Sequence, residues 1–364
     1  MSTNPSVNKP RCVTVLGARP QFIKAAPLSD ALRQSGWEEI LVHTGQHYDS
    51  AMSDIFFAEM DIPEPKYHLG VGSGLHGAQT GKMLEEIEKV LLEEKPDWVV
   101  IYGDTNSTLA AALAASKLHI PLAHVEAGLR SFNRNMPEEI NRLVADQLSA
   151  IRFTPTQEAT NHLIQEGFDK ESIHQVGDVM YDAVLHFGGG EPKDSILDQI
   201  GIDGPFVLAT IHRAENTDCD SRLRAIIMGL QEVHQGIPVV WPIHPRTRKA
   251  LSEMNLDHQI HISNPVGYLE MLYLERRASL IVTDSGGVQK EAYFNKTPCV
   301  TARTETEWVE LVKQGWNQLA DPTDPGSIPK CVRGALNKDL PDYNTNLYGD
   351  GQSAKHMVDI LINH

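Results

Sequence analysis

Short apolar runs alternate with helix-period stretches from one end of this chain to the other. "CVTVLG" (12–17) precedes a helical pattern from Pro20 to about Gln34, and "EILVHT" (39–44) precedes helical stretches from about Ser50 and from His76 to Glu94. "DWVVIYG" (97–103) leads into the alanine-rich "STLAAALAASKL", "IPLAHV" (120–125) leads through a loop into "PEEINRLVADQLSA", and "IRFTPT" and "IHQVGD" follow. Strand-then-helix units of this kind imply parallel strands joined by right-handed crossovers. The alternation breaks at the low-hydrophobicity stretch 187–205 and resumes with "FVLATI", "IPVVWPI", "IHI", "ASLIVTD" and "TPCVTA". At 364 residues the chain exceeds one ordinary core. The expectation is two doubly wound α/β domains, 1–178 and 179–349, with an amphipathic helix over 350–364 packing back on the first.

The formal net charge of −16 argues against a nucleic-acid partner, because no local basic stripe offsets it. The polar start "MSTNPSVNKPRC" lacks the apolar core of a signal peptide, and no apolar run is long enough to span a bilayer. Cys12, Cys219, Cys299 and Cys331 are scattered without a CxxC pair. That pattern predicts reduced, buried thiols in a cytoplasm and no metal site.

In open parallel sheets, ligands bind beyond the carboxyl ends of the strands, here in the cleft expected between two facing sheets. Asp104 stands just past "WVVIYG", where it or Thr105 would cap the next helix. "HVEAGLR" (124–130) sets Glu126 at the end of the following strand. Glu138 and Glu139 share the first turn of the helix at Pro137, and spacing alone does not separate them. Three acids at one sheet edge would raise one another's pKa values and supply a general acid or base. Arg19 and Lys24 of "GARPQFIK" follow the first strand as a candidate anion site, without a dinucleotide fingerprint or a P-loop. In the second half His212 and Arg213 end one strand, and His244 and Arg246 another. "TDSGGVQKEA" joins a strand end, the turn Ser285-Gly286-Gly287 and a helix start. Such a turn suits a nucleoside diphosphate, with Glu291 facing ribose hydroxyls.

Taken in order, "GARPQFIKAAPL", "TGQHYD", "YGDTNSTLA", "HVEAGLR", "MPEEINR", "VGDVMYD", "IHRAEN", "HPRT", "TDSGGVQKEA" and "YGDGQ" resemble the non-hydrolysing UDP-N-acetylglucosamine 2-epimerase family over nearly the whole chain. The resemblance implies a glycosyltransferase-B-like fold of two Rossmann-like domains facing across a cleft, a homodimer, and no cofactor. It implies loss of the sugar C2 proton with departure of UDP, then re-addition of UDP with reprotonation on the other face. It assigns Asp104, Glu126 and Glu138 to acid/base work, and His212 to the departing diphosphate. Arg19 and Lys24 fall near phosphates and sugar, and His244, Ser285, Gly286, Gly287 and Glu291 near UDP.

Two segments depart from the N-acetylglucosamine enzymes. "TETEWVE" (304–310) has Trp308 where they carry arginine, and "GARPQFIK" has Gln21 and Phe22. Both differences resemble the branch acting on UDP-2,3-diacetamido-2,3-dideoxyglucuronate in surface polysaccharide or lipopolysaccharide synthesis, as do "SFNRNMPEEINR" and "VGYLEM". That substrate is the expectation. UDP-GlcNAc is the first alternative and a glycosyltransferase on the same fold a more distant one.

Overall fold

The computed structural model describes residues 9–46, 62–192, 195–254 and 259–364, with the backbone alone at Arg19. The helical stretch expected from Ser50, and His47, Tyr48 and Asp49 of "TGQHYD", lie outside them. The chain divides into two compact units, Met1–His186 with Thr345–His364, and Phe187–Asn344. The breaks fall after 186 and 344 rather than after 178 and 349. The reason is helix Val179–Phe187, most of which stays with the first unit. Its Asp182 accepts hydrogen bonds from the N–H groups of Ser353 (3.1 Å) and Ala354 (2.9 Å), at the start of the last helix, Ser353–Asn363.

The first unit holds β1 (Arg11–Leu16), β2 (Glu38–His43), β3 (Tyr67–His68), β4 (Trp98–Tyr102), β5 (Leu122–Val125), β6 (Ile151–Thr154) and β7 (Ile173–Gln175), in the order 3-2-1-4-5-6-7. The second holds β8 (Val207–Thr210), β9 (Val239–Pro242), β10 (His261–Ser263), β11 (Leu280–Thr283), β12 (Cys299–Thr301) and β13 (Asn317–Leu319), in the order 10-9-8-11-12-13. All these pairings are parallel. The apolar runs are continuous rather than alternating because helices cover both faces of each sheet. Strand order reverses between β1 and β4 in one unit and between β8 and β11 in the other. At such points the connections leave in opposite directions and open a crevice at the strand ends.

Helix Asn106–Lys117 packs against helices His76–Glu94 and Pro137–Leu148, with Ala110, Ala111, Ala112, Ala114 and Ala115 fully buried. Small side chains let it lie close to its neighbours. The last helix buries Ala354, Met357, Val358 and Leu361 and packs on helix Arg19–Gln34. Strands β3 and β13 have no counterpart in the apolar pattern, since they are two and three residues long and carry no apolar run. The stretch 187–205 contains helix Ile196–Ile200, capped by Ser195 Oγ accepting from Leu197 N at 3.2 Å. Its Ile196 and Leu197 pack with Phe206 and Leu208 in the second core.

All four cysteines are free. Cys12 and Cys299 are buried as expected, whereas Cys219, the N-cap of helix Asp220–His234, and Cys331, within helix Ser327–Leu336, are half-buried. Among the described residues no helix is long and apolar enough to cross a membrane.

Burial pushes the Asp182 carboxyl up to about 6, against the lowering effect of its bonds from Ala354 and Ser353. A folded-state pKa above the unfolded value means stability present at low pH and lost as pH rises through 6. A difference of this size corresponds to roughly 3 kcal/mol across pH 4 to 6.5. Thermal melts of wild type and Asp182→Asn should therefore diverge with pH, the wild type losing relative stability as pH rises. A constant Tm difference across that window would contradict the assignment.

Candidate active site

In the first unit, β1 runs into Gly17, where a Cβ would fall 2.1 Å from Ser107 Oγ and 2.2 Å from Thr44 Oγ1. Glycine is what lets helix Asn106–Lys117 begin so close to this turn. Gln21 then pins the turn. Its Oε1 accepts from Gly17 N (2.8 Å) and Ala18 N (3.0 Å), while its Nε2 donates to Tyr102 O at the end of β4 (2.8 Å). A glutamate could not make that donation. Phe22 stacks on His43 with ring centroids 5.2 Å apart. One turn later Lys24 is buried and forms an ion pair with Glu126, at the end of β5.

Glu126 has φ +71, a left-handed conformation uncommon outside glycine and found where function holds the backbone under strain. Its carboxylate closes over Gly103, whose own φ is +57. A Cβ at Gly103 would lie 3.2 Å from Glu126 Oε2 and 3.5 Å from Lys24 Nζ. Asp104 follows directly. Thr105, not Asp104, caps the next helix by accepting from Thr108 N. Asp104 is thereby left to form an ion pair with Arg142.

Helix Pro137–Leu148 separates the two glutamates that spacing could not. Glu139 is buried and accepts from Ser131 N and Oγ (2.9 Å each), Phe132 N (3.0 Å) and Arg142 Nη1 (3.2 Å). It fastens the 131–132 loop to the arginine that holds Asp104. Glu138 is exposed and makes no hydrogen bond among the described residues. Asp104 and Glu126 each face a cation, and Glu138 faces solvent from the helix start.

The rest of "HVEAGLR" is a buried polar frame. His124 faces Asp146 Oδ1 with Nδ1 and Gly103 O with Nε2, both at 2.7 Å. Asp146 Oδ2 also accepts from Gly128 N (3.2 Å) and Arg130 Nη1 (2.7 Å). Burial would raise the Asp146 carboxyl, but His124 and then Arg130 outweigh it and hold the group below the usual carboxylate range. Arg130 grips Glu166 with two further bonds of 2.7 Å. Asp146 escaped the sequence-based expectations because it lies in the last turn of helix Pro137–Leu148, away from any strand's carboxyl end.

In the second unit, Asp284 ends β11 fully buried. It accepts from His212 N (3.1 Å), Arg213 N (3.0 Å) and Asn216 Nδ2 (2.9 Å), which binds the end of β8 to the end of β11. His212 Nδ1 lies 3.4 Å from Asp284 Oδ1, and its half-exposed ring packs against His244 with centroids 5.9 Å apart. Asp284 is a second residue that motif spacing did not single out, although its place immediately before Ser285 was a usable signal. Ser285 is the N-cap of helix Gly286–Phe294, and its side chain makes no capping bond. Ser285, Gly286 and Gly287 are half-buried, whereas Glu291 is buried. Trp308 is buried with Lys290, whose Nζ lies 4.2 Å from the indole centroid. The two departures noted in the sequence are therefore interior: Gln21 braces a turn, and Trp308 covers a lysine. The Arg19 side chain lies outside the described residues. Among them no group of three or more His, Cys, Asp or Glu side chains is arranged to hold a metal ion.

A family model described as UDP-N-acetylglucosamine 2-epimerase matches residues 30–362. A UDP-N-acetylglucosamine 2-epimerase homolog of Methanococcus maripaludis is 52% identical, aligned over 97% of this chain and 99% of its own. The UDP-2,3-diacetamido-2,3-dideoxy-D-glucuronate 2-epimerase of Pseudomonas aeruginosa is 51% identical over 96% and 99%. The crystal structure of Methanocaldococcus jannaschii UDP-GlcNAc 2-epimerase in complex with UDP-GlcNAc and UDP superimposes with a TM-score of 0.90 at 46% identity, covering 97% of this chain and all of that one.

Proposed function

Given that this chain belongs to the UDP-N-acetylglucosamine 2-epimerase family and is a non-hydrolysing UDP-sugar 2-epimerase of glycosyltransferase-B-like fold, we propose that its substrate is UDP-2,3-diacetamido-2,3-dideoxyglucuronate, converted to the manno epimer. The observation that carries this choice is the 51% identity to the Pseudomonas aeruginosa enzyme over almost the full length of both chains. An exposed cation, Arg134, supports it. It sits in the loop that Glu139 fastens beside Asp104, and it forms no ion pair among the described residues. A uronate carboxylate would call for such a cation, and the C6 hydroxyl of GlcNAc would not.

The chemistry assigned to these residues is an elimination and its reversal. A carboxylate of the Asp104, Glu126 and Glu138 set takes the C2 proton. The C2–H electron pair becomes the C1=C2 bond, and UDP leaves C1 with the C1–O pair. His212, oriented by Asp284, meets the charge that develops on the diphosphate, where a fixed cation or donor is most effective. The Ser285-Gly286-Gly287 turn at a helix N-terminus holds the diphosphate, with His244 and Glu291 completing the UDP site. Arg19 and Lys24 act on the sugar side, Lys24 through its ion pair with Glu126. Re-addition of UDP with protonation on the opposite face completes the epimerisation. The same proposal makes the protein a cytoplasmic homodimer serving surface polysaccharide synthesis.

UDP-GlcNAc is the second reading. The burial of Gln21 and Trp308 favours it, since neither faces outward to select a sugar. Proton NMR in D₂O, run in parallel on both UDP-sugars, separates the two. Loss of the C2 proton signal with a new manno anomeric signal is expected in the uronate tube. Turnover of UDP-GlcNAc alone would sink the substrate assignment and keep the reaction.

A further inference from the structure

The His124 ring is completely buried between two acceptors, the Asp146 carboxylate and the Gly103 carbonyl, each 2.7 Å from a ring nitrogen. A neutral imidazole donates from one nitrogen and accepts at the other, so either tautomer would press a lone pair against an oxygen. Protonating Asp146 would relieve one clash, but that carboxylate also accepts from Arg130 Nη1 and Gly128 N, bonds that favour its charged form. Only a ring donating from both nitrogens satisfies the arrangement. The other charged groups of the frame are Arg130, whose partner Glu166 is exposed, and buried Arg152, whose Nε donates to Asp146 O at 2.7 Å.

The frame bears on one atom of the active-site turn. Gly103 N donates to Val125 O at 3.0 Å and Gly103 O faces His124, so both polar groups of this residue are tied to β5. Over the Cα of Gly103 lies the Lys24–Glu126 pair, and the next residue is Asp104.

We infer that His124 is a positioning residue of the epimerase: held as an imidazolium by Asp146, it fixes the Gly103 carbonyl and so sets Asp104 and Glu126 relative to each other. It touches no substrate. The inference rests on Asp104 and Glu126 being the acid/base groups.

The test has a spectroscopic arm and a kinetic arm. With ¹⁵N-histidine labelling of the intact protein at pH 7.5, one ring should show both nitrogens protonated, and His124→Gln should remove that signal. Glutamine offers donor and acceptor in the wrong combination for two acceptors. In that variant kcat should fall on the order of 100-fold, the effect of a small misplacement of reacting groups, with KM and the Kd for UDP within about twofold. Asp146→Asn, which removes the counter-charge, should give the same split. A wild-type spectrum in which no ring has both nitrogens protonated overturns the inference, and it does so even if neither variant folds. So does a folded variant with wild-type kcat, or a loss confined to KM. Glu126→Gln in the same assay keeps the two ideas apart. If it turns over normally, the acid/base assignment has failed whatever His124 does.

Discussion

Glu126→Gln should reduce turnover by roughly a thousand-fold or more and leave UDP binding measurable, because a positioned acid or base contributes about 10²- to 10⁴-fold to rate. The side chain is nearly isosteric, so a loss reports chemistry rather than shape. Glutamine also removes the charge that Lys24 faces, and a buried unpaired ammonium costs more than an exposed one. A modest drop in Tm is therefore expected alongside the kinetic effect. UDP affinity is the control, since the residues proposed to hold UDP, from His212 to Glu291, belong to the other compact unit. Isothermal titration with UDP and the D₂O assay on one preparation read both quantities. Near wild-type turnover would show that Glu126 is not the acid or base.

Gly128→Ala should be among the most destabilising single substitutions in the chain. Gly128 has φ +79, and a Cβ there would sit 2.4 Å from the carbonyl oxygen and 2.9 Å from the carbonyl carbon of Ala159. Both are backbone atoms near the start of helix Gln157–Gln165, so no side chain can swing aside. Strain at positive φ and overpacking add, for a cost of about 4 kcal/mol and a Tm lower by roughly 10 °C. Gly77→Ala, in helix His76–Glu94 with open space around the added methyl, is the matched control and should be near neutral. Equal melting temperatures for the two variants would contradict this account. The comparison also divides the motif: Gly128 is there for packing, and Glu126, two residues earlier, carries the proposed acid or base.

Much of this molecule was legible before folding was considered. Strands built on three or more buried apolar residues announce themselves, so β4, β5, β8, β9 and β11 fall inside the runs that marked them, and β1 begins one residue before its run. The strand-end rule then led to Asp104, Glu126, His212 and Ser285 without any structure. Elements stabilised by their neighbours were not legible. Strand β13 carries one apolar residue in "NQL", and helix Ile196–Ile200 is a single turn whose two buried side chains matter only once Phe206 is beside them.

Substrate cues illustrate the same limit. Gln21 and Trp308 looked like residues that choose a sugar because they differ between branches. Folding turns both inward, one onto backbone N–H and carbonyl groups of the first turn and of β4, the other onto Lys290. Which of Glu138 and Glu139 is buried was equally hidden. Adjacent helical positions point about 100° apart, and the decision depended on where Ser131, Phe132 and Arg142 would lie.

The sequence by itself determined the two parallel-sheet halves, the family and the residues that stand past the strand ends. Each of these is written in short-range periodicity or in local motifs. The pairings were decided only by tertiary structure: Lys24 with Glu126, 102 positions apart, Arg142 with Asp104, and Asp146 with both His124 and Arg130. Ion pairs and buried hydrogen bonds form wherever the fold brings complementary groups together in low dielectric. No local pattern in a chain records which distant partner that will be.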